Sequence, residues 1–184
     1  MINQTTTQTV SSFFPVTTQN LCNWLEKHLC PIDPENWWAN LAYNYLTANQ
    51  QRNADRVGEK SLQGLDLAAL LRIMDQNWFA LSSRIGNLQP EHRNYLKELQ
   101  VVRNRWSHVT TSGFTAEQEL RDLDTLLLFN RAIEGAEKSI EELAQAKSRI
   151  IQQIARPMPQ LPALEQSAGA TKIECQAVVQ EKEN

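Results

Sequence analysis

Apolar residues recur at spacings of three and four along most of this chain, and this periodicity limits the elements it can form. The clearest stripe comprises Leu67, Leu70, Leu71, Met74, Trp78 and Leu81. Such spacing places apolar side chains on one face of an α-helix, whereas a strand would alternate with a period of two. No segment shows that alternation. We therefore predict an all-α fold, a helical bundle with a long C-terminal helix and disordered termini.

The N-terminal third is expected to hold a flexible arm, two helices and a loop. Residues 1–16 are rich in Thr, Gln and Ser and lack periodicity, which is typical of a flexible arm. A first helix is predicted to begin after Thr17 or Thr18, and a second to cover about residues 35–50. The polar residues 50–64 are interpreted as a loop or a frayed helix end.

Capping residues mark the starts of two later helices. Asp66 suits the N-cap of the helix that carries the stripe, and Thr115 with Gln118 forms a capping-box pattern before the last helix. Between them, a helix over residues 91–108 is predicted to bury one face, formed by Tyr95, Leu99, Val102 and Trp106.

The last helix is predicted to run from about residue 116 to 155. Its apolar positions form a heptad pattern, comprising Leu126, Phe129, Ile133, Ala136, Ile140, Leu143, Lys147, Ile150 and Ile154. Gly135 disfavours a single straight helix, because glycine is a weak helix former. Two alternatives stay open: the second half frays, or it extends outward and pairs with another chain.

These patterns divide the chain into four predicted parts. They are a flexible arm (1–16), a helical domain (17–135), a helical extension with a candidate coiled-coil seam (136–156) and a flexible tail (157–184).

Composition restricts the classes of function. A formal net charge of -3 disfavours a broad electrostatic grip on nucleic acid, although a local basic cleft stays compatible with it. The chain has no apolar run long enough for a membrane span, and its first residues lack the pattern of a secretory signal. We therefore expect a cytoplasmic location and no membrane partner.

Three scattered cysteines, Cys22, Cys30 and Cys175, suggest no disulfide framework. Cys22 and Cys30 could join His28 in a metal site, but a zinc site usually combines four converging ligands in two close pairs. Buried cysteine acting as a small apolar residue is the preferred interpretation. No metal or cofactor is expected.

Chemistry-bearing residues concentrate in the stretch RNRWSH at 103–108. Asn104 and His108 are four residues apart and share a helix face, and Arg103 lies between that face and the buried one. Such a cation, amide and imidazole suit RNA cleavage by the ribose 2′-OH. The guanidinium stabilises phosphate charge, histidine transfers the proton and asparagine orients either group. Spacing alone equally fits a surface arginine and a helix-terminal histidine that interacts with the helix dipole.

The stretch and its flanks resemble the HEPN superfamily, whose motif is RxxxxH, often with Asn directly after the Arg. Arg103, Asn104 and His108 occupy these motif places. The resemblance covers about residues 20–135. The segments DLAALLRIMDQNWF, RNYLKELQVVRNRWSH and FTAEQELRDLDTLLLF are similar to the HEPN domain that ends a eukaryotic nuclear RNA-surveillance endoribonuclease.

The resemblance implies a homodimer in which two motifs form one composite, metal-independent RNase site. It implies RNA as substrate, Arg103, Asn104 and His108 as catalytic residues, and a role as a toxin or phage-defence effector with an inhibitor or a larger complex as partner. Arg105 is interpreted as an RNA-backbone ligand or, alternatively, as an ordinary solvated residue. Trp106 is expected in the core. The competing hypothesis is a non-catalytic dimerisation or RNA- or partner-binding module that acts as a regulatory subunit.

Overall fold

The computed structural model describes residues 10–58, 60–107 and 114–155. His108, Cys175 and the predicted tail at 157–184 lie outside the described residues, as does most of the predicted N-terminal arm. The described residues form seven α-helices, namely α1 (Phe14–Leu29), α2 (Ala48–Val57), α3 (Leu67–Gln76), α4 (Trp78–Ser82), α5 (Pro90–Ser107), α6 (Ala116–Ala132) and α7 (Glu137–Ala155). They contain no strand, and the all-α prediction is confirmed.

The predicted flexible arm is wrong for residues 10–16, because this segment is helical and contributes to the core. A 3₁₀ turn, Val10–Phe13, leads into α1, and both Val10 and Phe13 are buried. Their spacing of three directs both side chains inward, where the turn contacts α1, α5 and α6. Because most residues around this pair are Thr, Gln and Ser, two apolar residues were too few to predict a buried helical turn from the sequence.

The second predicted helix is replaced by irregular turns followed by a later helix. A π-helical turn, Trp38–Ala42, and a 3₁₀ turn, Tyr43–Tyr45, precede an extended Leu46. Thr47 and Gln50 then form a reciprocal capping box that starts α2. The segment interpreted as a loop is therefore helical until Gly58, whose left-handed φ of 74° ends α2.

The predicted N-cap and stripe of α3 are confirmed. Asp66 accepts a hydrogen bond of 2.9 Å from the backbone N–H of Ala69, and all six stripe residues are buried. The helix is interrupted at Asn77, so its second half becomes α4. The Asn77 side-chain amide donates to the carbonyls of Leu41 and Ile73 at 2.7 and 2.8 Å, and these contacts hold the break.

The periodic run after Thr115 forms two helices, α6 and α7, and not one continuous helix. Glu134 adopts a left-handed φ of 51°, and the N–H of Gly135 donates to the carbonyl of Asn130 at 2.8 Å. After this turn α7 packs along α6, which buries Ser139, Leu143, Ala146 and Ile150. The second half thus neither frays nor extends outward over the described residues. Its apolar face is covered within the chain up to Ile150, whereas Ile151 and Ile154 are exposed.

Helices α1, α3, α5 and α6 surround the core, with contacts between α1 and α3, α3 and α5, and α5 and α6. The largest fully buried side chains include Phe129, Leu21, Leu25, Leu70, Met74 and Leu99. No helix of the described residues combines the length and apolarity that crossing a membrane would require. Helix α5 is held by α3 on one side and α6 on the other, and this fixes the position of the motif at its C-terminal end.

Candidate active site

The last turn of α5 directs consecutive motif residues to different surroundings. Trp106 is 8% exposed and faces the core, as predicted, together with Leu99 and Val102. Tyr95 is only half-buried, and Leu96 is the fully buried residue at this end of the face. Trp106 also packs against Phe114, with 4.3 Å between ring centroids.

Arg103 is held at the surface by a carboxylate from another helix. Its Nη2 lies 3.2 Å from Oδ2 of Asp66, and its Nη1 donates to the side-chain oxygen of Asn104 at 3.3 Å. The Arg103 side chain is 27% exposed, so packing restrains its stem while the guanidinium reaches solvent. The two predicted catalytic residues that the structure describes, Arg103 and Asn104, are therefore in contact.

Asp66 links this guanidinium to the start of α3. Its Oδ1 accepts from the Ala69 N–H and, at 3.2 Å, from the side-chain amide of Gln50. Gln50 is itself the second residue of the α2 capping box. Arg103 is thus connected through one carboxylate to the N-terminal ends of two helices, which restricts where its positive charge can lie.

Arg105 pairs with a second, buried carboxylate. Its Nη1 lies 2.7 and 2.9 Å from the two oxygens of Asp122 on α6. Asp122 also accepts from the indole N–H of Trp106 at 2.7 Å and from the amide of Gln118 at 2.8 Å. Asp122 is only 1% exposed, and a buried carboxylate needs such ion-pair and hydrogen-bond partners to offset its loss of solvent. Neither of the two roles predicted for Arg105 included this ion pair.

The charge around the motif is therefore balanced within one chain. Arg103 faces Asp66 and Arg105 faces Asp122, so each of these two arginines has a carboxylate partner. Nearby on α6, burial raises the pKa of the Glu119 carboxyl, and the negative charge of Asp122 acts in the same direction.

The described part of α5 stops at the residue before the motif histidine. Ser107 is the last residue of α5, and its hydroxyl donates to the Arg103 carbonyl at 2.8 Å. Asn104 is exposed on this last turn. His108 follows and lies outside the described residues, so its catalytic assignment stays a prediction.

A family model described as Swt1-like HEPN matches residues 13–134. The chain belongs to this HEPN family. The match begins at the 3₁₀ turn, ends in the turn before α7, and includes the whole RNRWSH stretch. HEPN domains are generally associated with nucleases, and they commonly bind RNA and dimerise. Comparisons with curated proteins and with solved structures gave no significant match.

Two acidic residues that hold the motif arginines, Asp66 and Asp122, were not predicted as site residues from the sequence. Asp66 was predicted only as a cap, because no spacing rule connects it to Arg103 across 37 residues. Asp122 carried a usable signal. It precedes Leu126 by four residues and therefore extends the buried stripe of α6, where an acidic residue requires a partner.

The cysteines of the HEPN domain lie away from the motif. Cys22 is buried, and burial raises the pKa of its thiol to about 11, which favours the neutral form. His28 packs against Trp24 with 4.7 Å between ring centroids. Among the described residues, no group of three or more His, Cys, Asp and Glu side chains is arranged to hold a metal ion. Cys22 thus behaves as the apolar residue that the sequence predicted.

Proposed function

We propose that this HEPN protein is an endoribonuclease and that Arg103, Asn104 and His108 form half of its active site. One observation carries the proposal. Within the region that matches the family, Arg103 and Asn104 touch each other at the exposed end of α5, immediately before His108. A phosphate that approaches this end would meet a guanidinium and an amide together.

The proposed reaction is an internal transfer of the phosphodiester. The ribose 2′-oxygen bonds to the adjacent phosphorus while the bond from phosphorus to the 5′-oxygen of the next nucleotide breaks. One proton leaves the 2′-OH and one reaches the 5′-oxygen, so the products carry a 2′,3′-cyclic phosphate and a 5′-hydroxyl. Arg103 stabilises the developing negative charge, and His108 transfers the protons. DNA lacks the 2′-OH and would resist this route.

A homodimer would complete the site, because one histidine could accept a proton while its copy donates one. The exposed face of α5 supports such pairing. Val101 is 57% exposed and lies three residues before Asn104, on the same side of the helix. In a two-fold dimer the same surface of both copies meets, so contact through this face would bring the two motifs together.

Substrate binding would require Arg103 to exchange Asp66 for an RNA phosphate. The Asp66 carboxylate is 53% exposed, so this exchange breaks an ion pair of modest strength. Arg121, in the groove of about 240 Å³ between α5 and α6, has no ion pair with another described residue and could contact the RNA backbone. Arg105 could contribute only through the guanidinium atoms that do not hold Asp122.

The biological setting that we favour is a toxin or phage-defence effector in the cytoplasm, restrained by an inhibitor or a larger complex. It rests on the similarity of residues 65–130 to the HEPN domain of a eukaryotic RNA-surveillance endoribonuclease and to bacterial HEPN proteins. The balanced charge at the motif is compatible with restraint, because Asp66 competes with RNA for Arg103.

The same balance favours the second candidate, a non-catalytic module that dimerises and binds RNA or a protein partner. If the Asp66–Arg103 pair persisted in the complex, the motif would supply structure and no catalysis.

Incubation of the purified protein with structured and unstructured RNA in EDTA separates the two candidates. We expect wild type to cleave and His108→Ala and Arg103→Ala to be inactive, while two matched controls remain active. His92→Ala removes another histidine of α5, and Arg131→Ala removes an exposed arginine of α6. Absence of cleavage by wild type, or equal cleavage by His108→Ala, would exclude the nuclease.

A further inference from the structure

A cleft of about 300 Å³, lined by polar side chains together with Ala54 and Leu65, lies beside the motif, between α2 and the segment that leads into α3. Its lining includes Gln50, Asn53, Ser61, Gln63 and Asp66. Asp66 is shared with the motif, because its other carboxylate oxygen holds Arg103. A group bound in the cleft would therefore lie one side chain away from the guanidinium that is proposed to hold the scissile phosphate.

The walls of the cleft are fixed from outside it. Glu26 of α1 accepts hydrogen bonds from the Ser61 hydroxyl at 3.0 Å and from the Leu62 N–H at 2.9 Å. Leu62 is fully buried. On the opposite wall, Gln50 is held by the Thr47 capping box. The cleft therefore exists before any ligand arrives, which lowers the cost of binding.

Two amide side chains can contact a ligand, and one of them, Gln63, already accepts a 3.4 Å hydrogen bond from the Gln19 amide at its oxygen. Asn53, from α2, makes no side-chain hydrogen bond to another described residue, and neither does the NH₂ group of Gln63, from the opposite wall. Gly64, which follows Gln63 in the lining, is exposed, and no atom lies within 4 Å of where its Cβ would stand. The cleft thus presents amide donors and acceptors from two sides around empty space.

The charge of the cleft selects against a phosphate as its occupant. Among its described lining residues, the one ionisable side chain that we expect to be charged is Asp66, which is acidic. A neutral ligand rich in hydrogen-bond donors and acceptors fits better. Nucleobases are such ligands, and Asn and Gln amides pair with their edges in two-bond contacts. Unstacked bases of single-stranded RNA expose these edges.

We propose that this cleft binds the base of the nucleotide next to the phosphate held by Arg103, and so determines which RNA sequences are cleaved. This inference rests on the proposed nuclease for its position beside the cut. Binding of a base through Asn53 and Gln63 can be tested without cleavage.

The first test compares cut-site preferences on a pool of random-sequence RNA. Asn53→Ala and Gln63→Ala should reduce the base preference next to the cut by at least about fivefold, the discrimination expected of one paired contact, mainly because cleavage at the preferred base becomes slower. Gln153→Ala removes an exposed amide on α7 and should leave the preference unchanged. An unchanged preference in both cleft variants would overturn the proposal.

The second test records the side-chain NH₂ signals in the NMR spectrum of the His108→Ala protein during a titration. The ligands are 2′-deoxy hexanucleotides, each of which contains only one kind of base. The signals of Asn53 and Gln63 should shift with one base more than with the others, and the Gln153 signal should stay in place. If these signals shift but the wild-type protein cleaves no RNA, base binding in the cleft is supported and the nuclease proposal is excluded. If the wild-type protein cleaves RNA but the signals do not shift, the nuclease proposal is supported and base binding in the cleft is excluded.

Discussion

The indole N–H of Trp106 donates a 2.7 Å hydrogen bond to the buried carboxylate of Asp122, which also pairs with Arg105. Two neighbouring residues of α5 are thereby fastened to one residue of α6. The contact sets the rotation of the last turn of α5, and with it the direction in which Arg103 and Asn104 leave the surface.

Replacing Asp122 by Ala should lower the free energy of unfolding by about 3–4 kcal/mol, because the Arg105 charge and the Trp106 N–H would lose their shared acceptor. Urea unfolding followed by circular dichroism measures this loss. Asp124→Ala provides the control, since Asp124 is 42% exposed and pairs with Lys147. That variant should change stability by less than about 1 kcal/mol. Equal losses of stability in the two variants would contradict the larger contribution expected of the buried Asp122 cluster.

Asp66→Asn should strengthen RNA binding by up to about fivefold, because Arg103 would no longer share its charge with a carboxylate. Asparagine still caps α3, so the fold should persist. Fluorescence anisotropy with a labelled 2′-deoxy oligonucleotide gives the Kd. Asp33→Asn removes the same charge from a carboxylate whose hydrogen-bond partners are a backbone N–H and an amide. Weaker binding by Asp66→Asn would show that Asp66 positions Arg103 for phosphate.

Val101→Asp should convert a dimer to monomer and abolish cleavage, because it places charge on the exposed face of α5 beside Asn104. Light scattering at micromolar concentration reports the mass. Phe79→Asp is the matched control, since Phe79 is 75% exposed, lies on α4 and contacts Arg93 in the first turn of α5, at the opposite end of that helix from the motif. A wild type that is monomeric but active would contradict the composite site.

The stability of the protein should decrease as the pH falls below about 6.5, in part through His28. Burial lowers the pKa of its imidazole, Lys27 acts in the same direction and Glu134 opposes both. A lowered pKa favours the neutral imidazole in the folded state, so the imidazole is protonated at a higher pH in the unfolded chain than in the folded one. This protonation stabilises the unfolded state relative to the folded state as the pH decreases. His28→Gln should lose less thermal stability than wild type between pH 6.5 and 5. Parallel melting curves for both proteins over this range would contradict the assignment.

Gly135→Ala should destabilise the turn between α6 and α7 by roughly 1–3 kcal/mol. The added Cβ would stand 2.9 Å from the Asn20 amide nitrogen and 3.1 Å from the Asn130 carbonyl. Gly86→Ala is the natural comparison, because no atom lies within 4 Å of its Cβ position. Chemical denaturation should find the Gly86 variant close to wild type. If both variants unfold alike, close packing is not what requires glycine at 135.

Features encoded by neighbouring residues were predictable from the sequence. The Asp66 and Thr115 caps and the stripe from Leu67 to Leu81 are as predicted, because each depends on residues within one or two helical turns. Even locally, the Thr115 cap is one-sided, since the Gln118 amide donates to Asp122 and does not return to Thr115.

Features that depend on distant partners were not predictable. The break at Asn77 relies on the Leu41 carbonyl, and the turn after Asn130 relies on Asn20, which lies 110 residues away along the chain. For the same reason the sequence placed Arg103 and Asn104 on the correct helix but supplied neither Asp66 as a partner nor Asp122 as an anchor.

The four consecutive residues Arg103–Trp106 leave α5 toward an exposed carboxylate, solvent, a buried carboxylate and the core, in that order. Arg105 and Trp106 therefore contribute to the stability of the fold, and Arg103 and Asn104 are available to bind a ligand at the surface. Substitutions at Arg105 or Trp106 should therefore act first on the stability of the fold, whereas substitutions at Arg103 or Asn104 should act first on what the surface binds.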